Sequence, residues 1–191
     1  GMLGLILIEI RLPRALLAII VGGSLGLAGA ALQGLLRNSL ADPGVIGVSS
    51  SAGLGAVLVI YFGIAAEWSF AVPIAAMTGA AIAVALLLGL AGRDAGPLTL
   101  ILAGVAVNAI AGALISLALN LAPSPYAVFE AVFWLLGSLT DRSFTHVWIS
   151  LPLTLIGWIL LATAARPLNA LSLGDDVARS LGVQSVTGPR A

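Results

Sequence analysis

The stretch Leu12–Leu36, LPRALLAIIVGGSLGLAGAALQGLL, decides the fold class. Arg14 is its one charged side chain, and the rest is aliphatic, small or neutral. About 20 mostly apolar residues are enough for a helix to cross a bilayer. The run shows no period-two alternation, which argues against a barrel strand. Similar runs follow at residues 47–64, 68–90, 98–121 and 146–165. Residues 126–139 are apolar but short, and read as a re-entrant or interfacial helix, or as a tilted span. The expected fold is an all-α, polytopic transmembrane helical bundle with about five full spans.

Composition leads to the same place. Of 191 residues, 60% are hydrophobic and 8% charged, with a mean hydropathy of +1.15. Soluble domains carry about 25% charged residues to hydrate their surface. Eight acids and eight arginines cannot cover a water-facing shell of this size, so hydrocarbon faces most of the chain. The formal net charge is zero, and no nucleic-acid partner is implied. Without cysteine there are no disulfides or thiolate metal sites, and one histidine, His146, is too few for a protein-only zinc site. No cofactor is implied.

The two ends differ in character. Gly1-Met2 reads as a tag remnant ahead of a starting methionine. Residues 2–10 are apolar, too short to span and interrupted by Glu9; they read as the tail of an earlier helix or the lead-in to the first span. Residues 166–191 are the one long stretch polar enough for water. If the chain crosses at each span, Arg37, Arg93, Arg166, Arg179 and Arg190 share one side, with Arg11, Arg14 and Arg142 on the other. The positive-inside tendency then puts the C-terminal segment in the cytoplasm. Aromatic residues such as Tyr61, Trp68, Tyr126, Trp134 and Trp148 crowd the arginine-poor side as an interfacial belt.

Small residues supply the packing. Gly22 and Gly26 form a GxxxG pair whose face Gly29 extends, and Ala103-Gly104 and Gly112-Ala113 do the same further on. Gln33, Ser49, Ser50, Ser51, Asn108 and Ser116 are candidates to line a pore. No carboxylate, lysine or histidine lies centrally in a span, where ion-coupled carriers usually place one. No lysine follows a glycine-rich stretch, so there is no P-loop, and one histidine cannot build a nucleophile–base–acid set. These features point to a transport subunit rather than an enzyme, energised by a different subunit.

Two polar segments interrupt the apolar background. Arg37-Asn38-Ser39-Leu40-Ala41-Asp42-Pro43-Gly44 ends one helix and opens the next. Pro43 stops helix propagation, Gly44 permits a tight turn, and Asp42 is placed to cap the next helix. The second segment, residues 166–183, places Asp175-Asp176 at a helix start and Gly182 as a C-cap. It reads as a two-helix lobe joined at Gly174, suited to docking into a groove on a partner.

With these residues in view, the sequence resembles the permease subunits of the iron-chelate and vitamin B12 uptake ABC transporters. The resemblance begins at Arg11-Leu12-Pro13-Arg14 and runs through Gln33-Gly34-Leu35-Leu36-Arg37-Asn38 to Leu40-Ala41-Asp42-Pro43-Gly44-Val45-Ile46-Gly47-Val48-Ser49. It continues in Leu102-Ala103-Gly104 and Phe133-Trp134-Leu135-Leu136-Gly137-Ser138-Leu139, and closes with Leu168-Asn169 to Leu181-Gly182. Ser39 departs from it, standing where the family usually has proline.

The resemblance implies a translocation subunit of an importer in the bacterial cytoplasmic membrane, carrying a ferric siderophore or similar iron chelate, with cobalamin and haem as alternatives. Its implied partners are an ATPase subunit, a periplasmic or lipid-anchored substrate-binding protein, a second permease subunit and membrane lipid. Arg11 and Arg14 would dock the binding protein. Gln33, Asn38, Leu40, Ser49 and Ser50 would border the cytoplasmic gate and pathway. Leu171, Leu173, Gly174, Asp175, Val177, Ala178 and Leu181 would form most of the surface on which the ATPase rests. Family members have roughly ten spans, more than 300 residues at about 20 per helix plus loops. The expectation is therefore one permease domain, residues 1–191, present as an incomplete N-terminal portion, with residues 166–183 as its cytoplasmic coupling segment. A non-transporting structural membrane protein is the alternative from another class.

Overall fold

Pro13 is where the first helix leaves regular geometry. In the computed structural model, which describes residues 2–68, 70–92 and 96–182, α1 (Met2–Leu5) leads through a π-helical turn, Ile6–Arg11, into α2 (Leu12–Leu36). Proline has no N–H and its ring opposes the carbonyl four residues back. The turn widens ahead of it, and the Leu12 N–H reaches the Leu7 carbonyl. The apolar residues before Leu12 are thus the lead-in to the first span, and Ile6–Leu36 is one continuous apolar helix of 31 residues.

Beyond it come a 3-10 turn (Pro43–Ile46), α3 (Val48–Tyr61), α4 (Ile64–Glu67), α5 (Ala71–Ala91), α6 (Pro97–Asn120), α7 (Pro125–Leu136), α8 (Phe144–Ser172) and α9 (Asp175–Ser180). Among the described residues the fold is all-α. Four helices are long and apolar enough to cross a membrane: Ile6–Leu36, Ala71–Ala91, Pro97–Asn120 and Phe144–Ser172. The expected second span, at 47–64, forms the 14-residue α3, about 21 Å long at 1.5 Å per residue. Left-handed backbone at Gly47 (φ 78°) and Gly63 (φ 74°) bounds it on both sides. The alternation of sides inferred from five crossings loses its footing with α3. Arg93 and Arg190, which also entered it, lie outside the described residues.

The helices group into two compact units, residues 2–39 with 138–182, and residues 40–137. In the first, α2 and α8 run parallel. Leu17 and Ile20 pack on Val147 near their starts, and the Trp158 indole donates to Ser24 Oγ at 3.1 Å mid-way. The Trp158 ring lies over Gly23, where an added Cβ would come within 3.0 Å of it. Further along, Gly34 faces the Leu168 carbonyl. Gly22 and Gly26, the expected GxxxG pair, face open space instead. The packing face is set one residue on from it, because a Trp ring needs a bare backbone to lie against.

In the second unit α3 is the centre. It runs antiparallel to α5, so closely that a Cβ on Gly55 would strike the Ala75 carbonyl and one on Gly79 the Ser51 carbonyl. Val57 and Ile60 pack with Ala118 of α6 and Ala131 of α7. A helix too short to span is tolerated at membrane depth where protein covers it. Five of its residues are buried, Ser51 among them, and the Ser51 carbonyl lies against Gly79 of α5.

Candidate functional site

The C-terminal end of the α2–α8 pair is built from backbone caps. Arg37 takes left-handed backbone (φ 49°) and its N–H returns to the Gln33 carbonyl, closing α2. The Asn38 N–H reaches the same carbonyl at 3.2 Å, and Gln33 Nε2 donates to the Ser39 carbonyl at 3.1 Å. Gln33 and Asn38 therefore do local work in ending the helix. The Arg37 guanidinium extends to α8, where Nε donates to the Leu171 carbonyl at 2.8 Å.

Arginines mark the two ends of this pair. From Arg14 to Arg37 the helix rises about 35 Å, and from His146 to Arg166 about 30 Å, at 1.5 Å per residue. Both match a hydrocarbon core of about 30 Å. The rest of α8, from Arg166 to Ser172, continues as helix through Pro167. This corrects the two-helix lobe: its first helix is the end of α8, and α9 alone follows. The break is at Gly174 (φ 111°) and Gly182 (φ 78°) lies beyond α9, as the sequence led us to expect. Leu173, Val177 and Leu181 are exposed, with Leu173 at 67% and Leu181 at 63%. Leu171 and Gly174 are half-buried. Ala178 is fully buried and holds α9 against the chain rather than presenting a surface. Asp175 opens α9; its side chain lies outside what the structure describes.

In the other unit the expected turn forms, with its glycine roles redistributed. Asp42 Oδ1 accepts from the Gly44 N–H at 2.7 Å, so Asp42 caps the turn that Pro43 opens. The glycine whose backbone matters is Gly47, not Gly44. A Cβ on Gly47 would stand 2.7 Å from the Asn108 nitrogen, and one on Gly104 would stand 2.9 Å from Ile46 Cα. Gly104 thus cradles irregular backbone against α6. Ser50 Oγ bonds back to the Gly47 carbonyl at 3.0 Å, while Ser49 is exposed. Leu40 is 85% exposed at the head of the turn. At the far end of the α2–α8 pair, Arg11 and Arg14 are both exposed, flanking buried Pro13.

Residues 2–187 match the model of the FecCD transport family. The chain belongs to that family. It is 42% identical over 183 residues to an uncharacterized ABC transporter permease protein, YvrB, of Bacillus subtilis, covering 93% of this chain and 51% of that protein. It is 38% identical over 185 residues to the iron(3+)-hydroxamate import system permease protein FhuG of the same organism, covering 93% of this chain and 55% of the relative. The vitamin B12 import system permease protein BtuC of Salmonella paratyphi A is 35% identical over 176 residues, with 92% and 53% covered. A solved inward-facing structure, of an ABC transporter assigned to the metal-chelate type, superposes with a TM-score of 0.84 at 31% identity, covering 94% of this chain and 57% of that one. The chain spans about half the length of the curated relatives it matches.

What the sequence missed are contacts to backbone: Arg37 to Leu171, Gly47 to Asn108, and Gly55 and Gly79 to α5 and α3. The last pair left a signal, since Ser51/Gly55 and Ala75/Gly79 are both small residues four apart.

Proposed function

We propose that the chain is part of the transmembrane permease subunit of an ABC importer in the bacterial cytoplasmic membrane, moving a ferric siderophore or related iron chelate. It acts as one permease domain over residues 1–191, with residues 166–183 as the coupling segment. The observation that carries this reading is family membership over nearly the whole chain, joined to a polar α8–α9 end that keeps Leu173, Val177 and Leu181 exposed beyond the last arginine-bracketed span. That apolar surface suits a groove on an ATPase subunit. ATP binding there would move the α8 end, and Arg37 would pass the movement to α2.

The relatives' own substrates support an iron hydroxamate first and cobalamin second. The exposed Leu40 and Ser49 and the half-buried Ser50 border the pathway in this reading, with Gln33 and Asn38 at the end of α2, and few strong donors suit a bulky ligand that must not stick. Arg11 and Arg14 receive the substrate-binding protein, a second permease subunit completes the pore, and hydrolysis belongs to the ATPase. The test is uptake of radiolabelled ferric hydroxamate into vesicles holding the assembled transporter. ATP-dependent accumulation is expected. Accumulation driven by a proton gradient without ATP would overturn the reading in favour of a secondary carrier.

A further inference from the structure

The first turn of α8 is both a packing contact and a capped helix start. Val147 is buried against Leu17 and Ile20 of α2, and Phe144 packs on the same cluster. His146, one residue before Val147, turns its ring back over the N-cap. The Ser143 N–H donates to Nδ1 at 3.3 Å, and Ser143 Oγ stands 3.2 Å from the same nitrogen. At the ring's other nitrogen, Arg142 Nη1 lies 3.4 Å from Nε2. His146 therefore fills the third position of a capping box, where Glu or Gln is the usual acceptor for the N-cap N–H.

Histidine differs from either residue in what a proton does to it. A neutral imidazole offers one lone pair, and the imidazolium offers none. Two donors, the Ser143 N–H and the Arg142 guanidinium, converge on this ring, so protonation leaves both without an acceptor there. It also places a cation beside Arg142 and in the first turn of α8, where the helix dipole disfavours one. His146 is exposed, so water screens the charge repulsion, and the lost acceptor is the larger effect. The charged groups on the elements packed around this end are Asp141 and Arg142 before α8, and Glu9, Arg11 and Arg14 at the start of α2. Among the described residues neither of those carboxylates bonds to the ring.

We propose that His146 is a pH-sensitive cap on α8: the neutral ring holds the first turn, and its protonation frays that turn and loosens Val147 from α2. The capped form binds fewer protons than the frayed form, so closure is favoured as pH rises and lost as pH falls. Histidine is the side chain suited to such a change between about pH 5 and pH 8. The inference concerns the α2–α8 joint alone and does not depend on the permease reading.

The test is hydrogen exchange of the full chain in nanodiscs, read as protection factors for the peptide covering residues 143–148 at about pH 8 and about pH 5. Protection in the parent is expected to fall about fivefold on acidification, the size of a lost helix cap. His146→Gln keeps an acceptor without a titrating proton and should hold its protection across the range. His146→Ala should be low at both pH values, and Arg142→Gln should fall somewhat less than the parent. An equal fall in the parent and His146→Gln would overturn the inference. So would protection that rises in the parent at low pH, which would mean that the charged ring finds a carboxylate such as Asp141 and tightens the turn.

Discussion

The Arg37 guanidinium reaches from the end of α2 to the end of α8 and donates its Nε–H to the carbonyl of Leu171 at 2.8 Å. Leu171 lies shortly before the break that releases α9. One side chain thus ties the end of α2 to the end of α8, just before α9. Arg37→Ala is expected to cost about 1 kcal/mol at this exposed bond. The larger effect is on coupling: hydrogen exchange across residues 171–182 should rise, with ATP hydrolysis retained and uptake per ATP lowered. Unchanged exchange in that segment would contradict the tie.

Gly55 and Gly79 point at main chain that has no room to yield, the carbonyls of Ala75 and Ser51. Alanine at either position forces α3 and α5 apart, an overpacking cost of about 1–3 kcal/mol. Gly22→Ala and Gly26→Ala meet nothing within 4 Å and should leave the thermal midpoint of the detergent-solubilised protein in place. The contrast is measured by thermal aggregation of the four single variants.

Trp158 and Ser24 join α2 to α8 inside the span, and Ser24 Oγ in turn donates to the Ile20 carbonyl at 2.6 Å. Interhelical hydrogen bonds in membranes average about 0.6 kcal/mol. A double-mutant cycle of Trp158→Phe and Ser24→Ala should give a coupling energy of that order. A value indistinguishable from zero would mean that the ring on Gly23, and not the N–H, holds the pair.

The sequence and the structure agree where apolar length decides and part where backbone packing decides. The runs at 68–90 and 98–121 became Ala71–Ala91 and Pro97–Asn120, since hydrocarbon-length apolar runs have few other stable forms. The run at 47–64 was equally apolar, yet Gly47 and Gly63 shorten it to α3 through left-handed backbone that hydropathy does not register. The last apolar run ended at residue 165, but the helix continues through Pro167 to Ser172. Arg37 and Gly104 act on carbonyls and Cα atoms far away in sequence, and a pattern of residue types carries no trace of those partners.

The turn into α3 offers its own contrast. Gly47→Ala places a Cβ in left-handed backbone, costing about 1–2 kcal/mol, and 2.7 Å from the Asn108 nitrogen. It should lower the thermal midpoint and uptake together. At Gly44 a Cβ meets only the Asp42 side chain at 2.9 Å, which can shift at the expense of its one cap bond to the Gly44 N–H, so Gly44→Ala should lower both measurements less than Gly47→Ala.

Exposed Val177 and Leu181 carry the claim that this chain couples to an ATPase. The chain has no cysteine of its own, so Val177→Cys and Leu181→Cys give clean single sites for crosslinking in the assembled transporter. The account predicts a crosslink from each to the ATPase subunit, with a yield that changes when ATP is added. An ATPase that co-purifies with the chain yet crosslinks to neither position would contradict it.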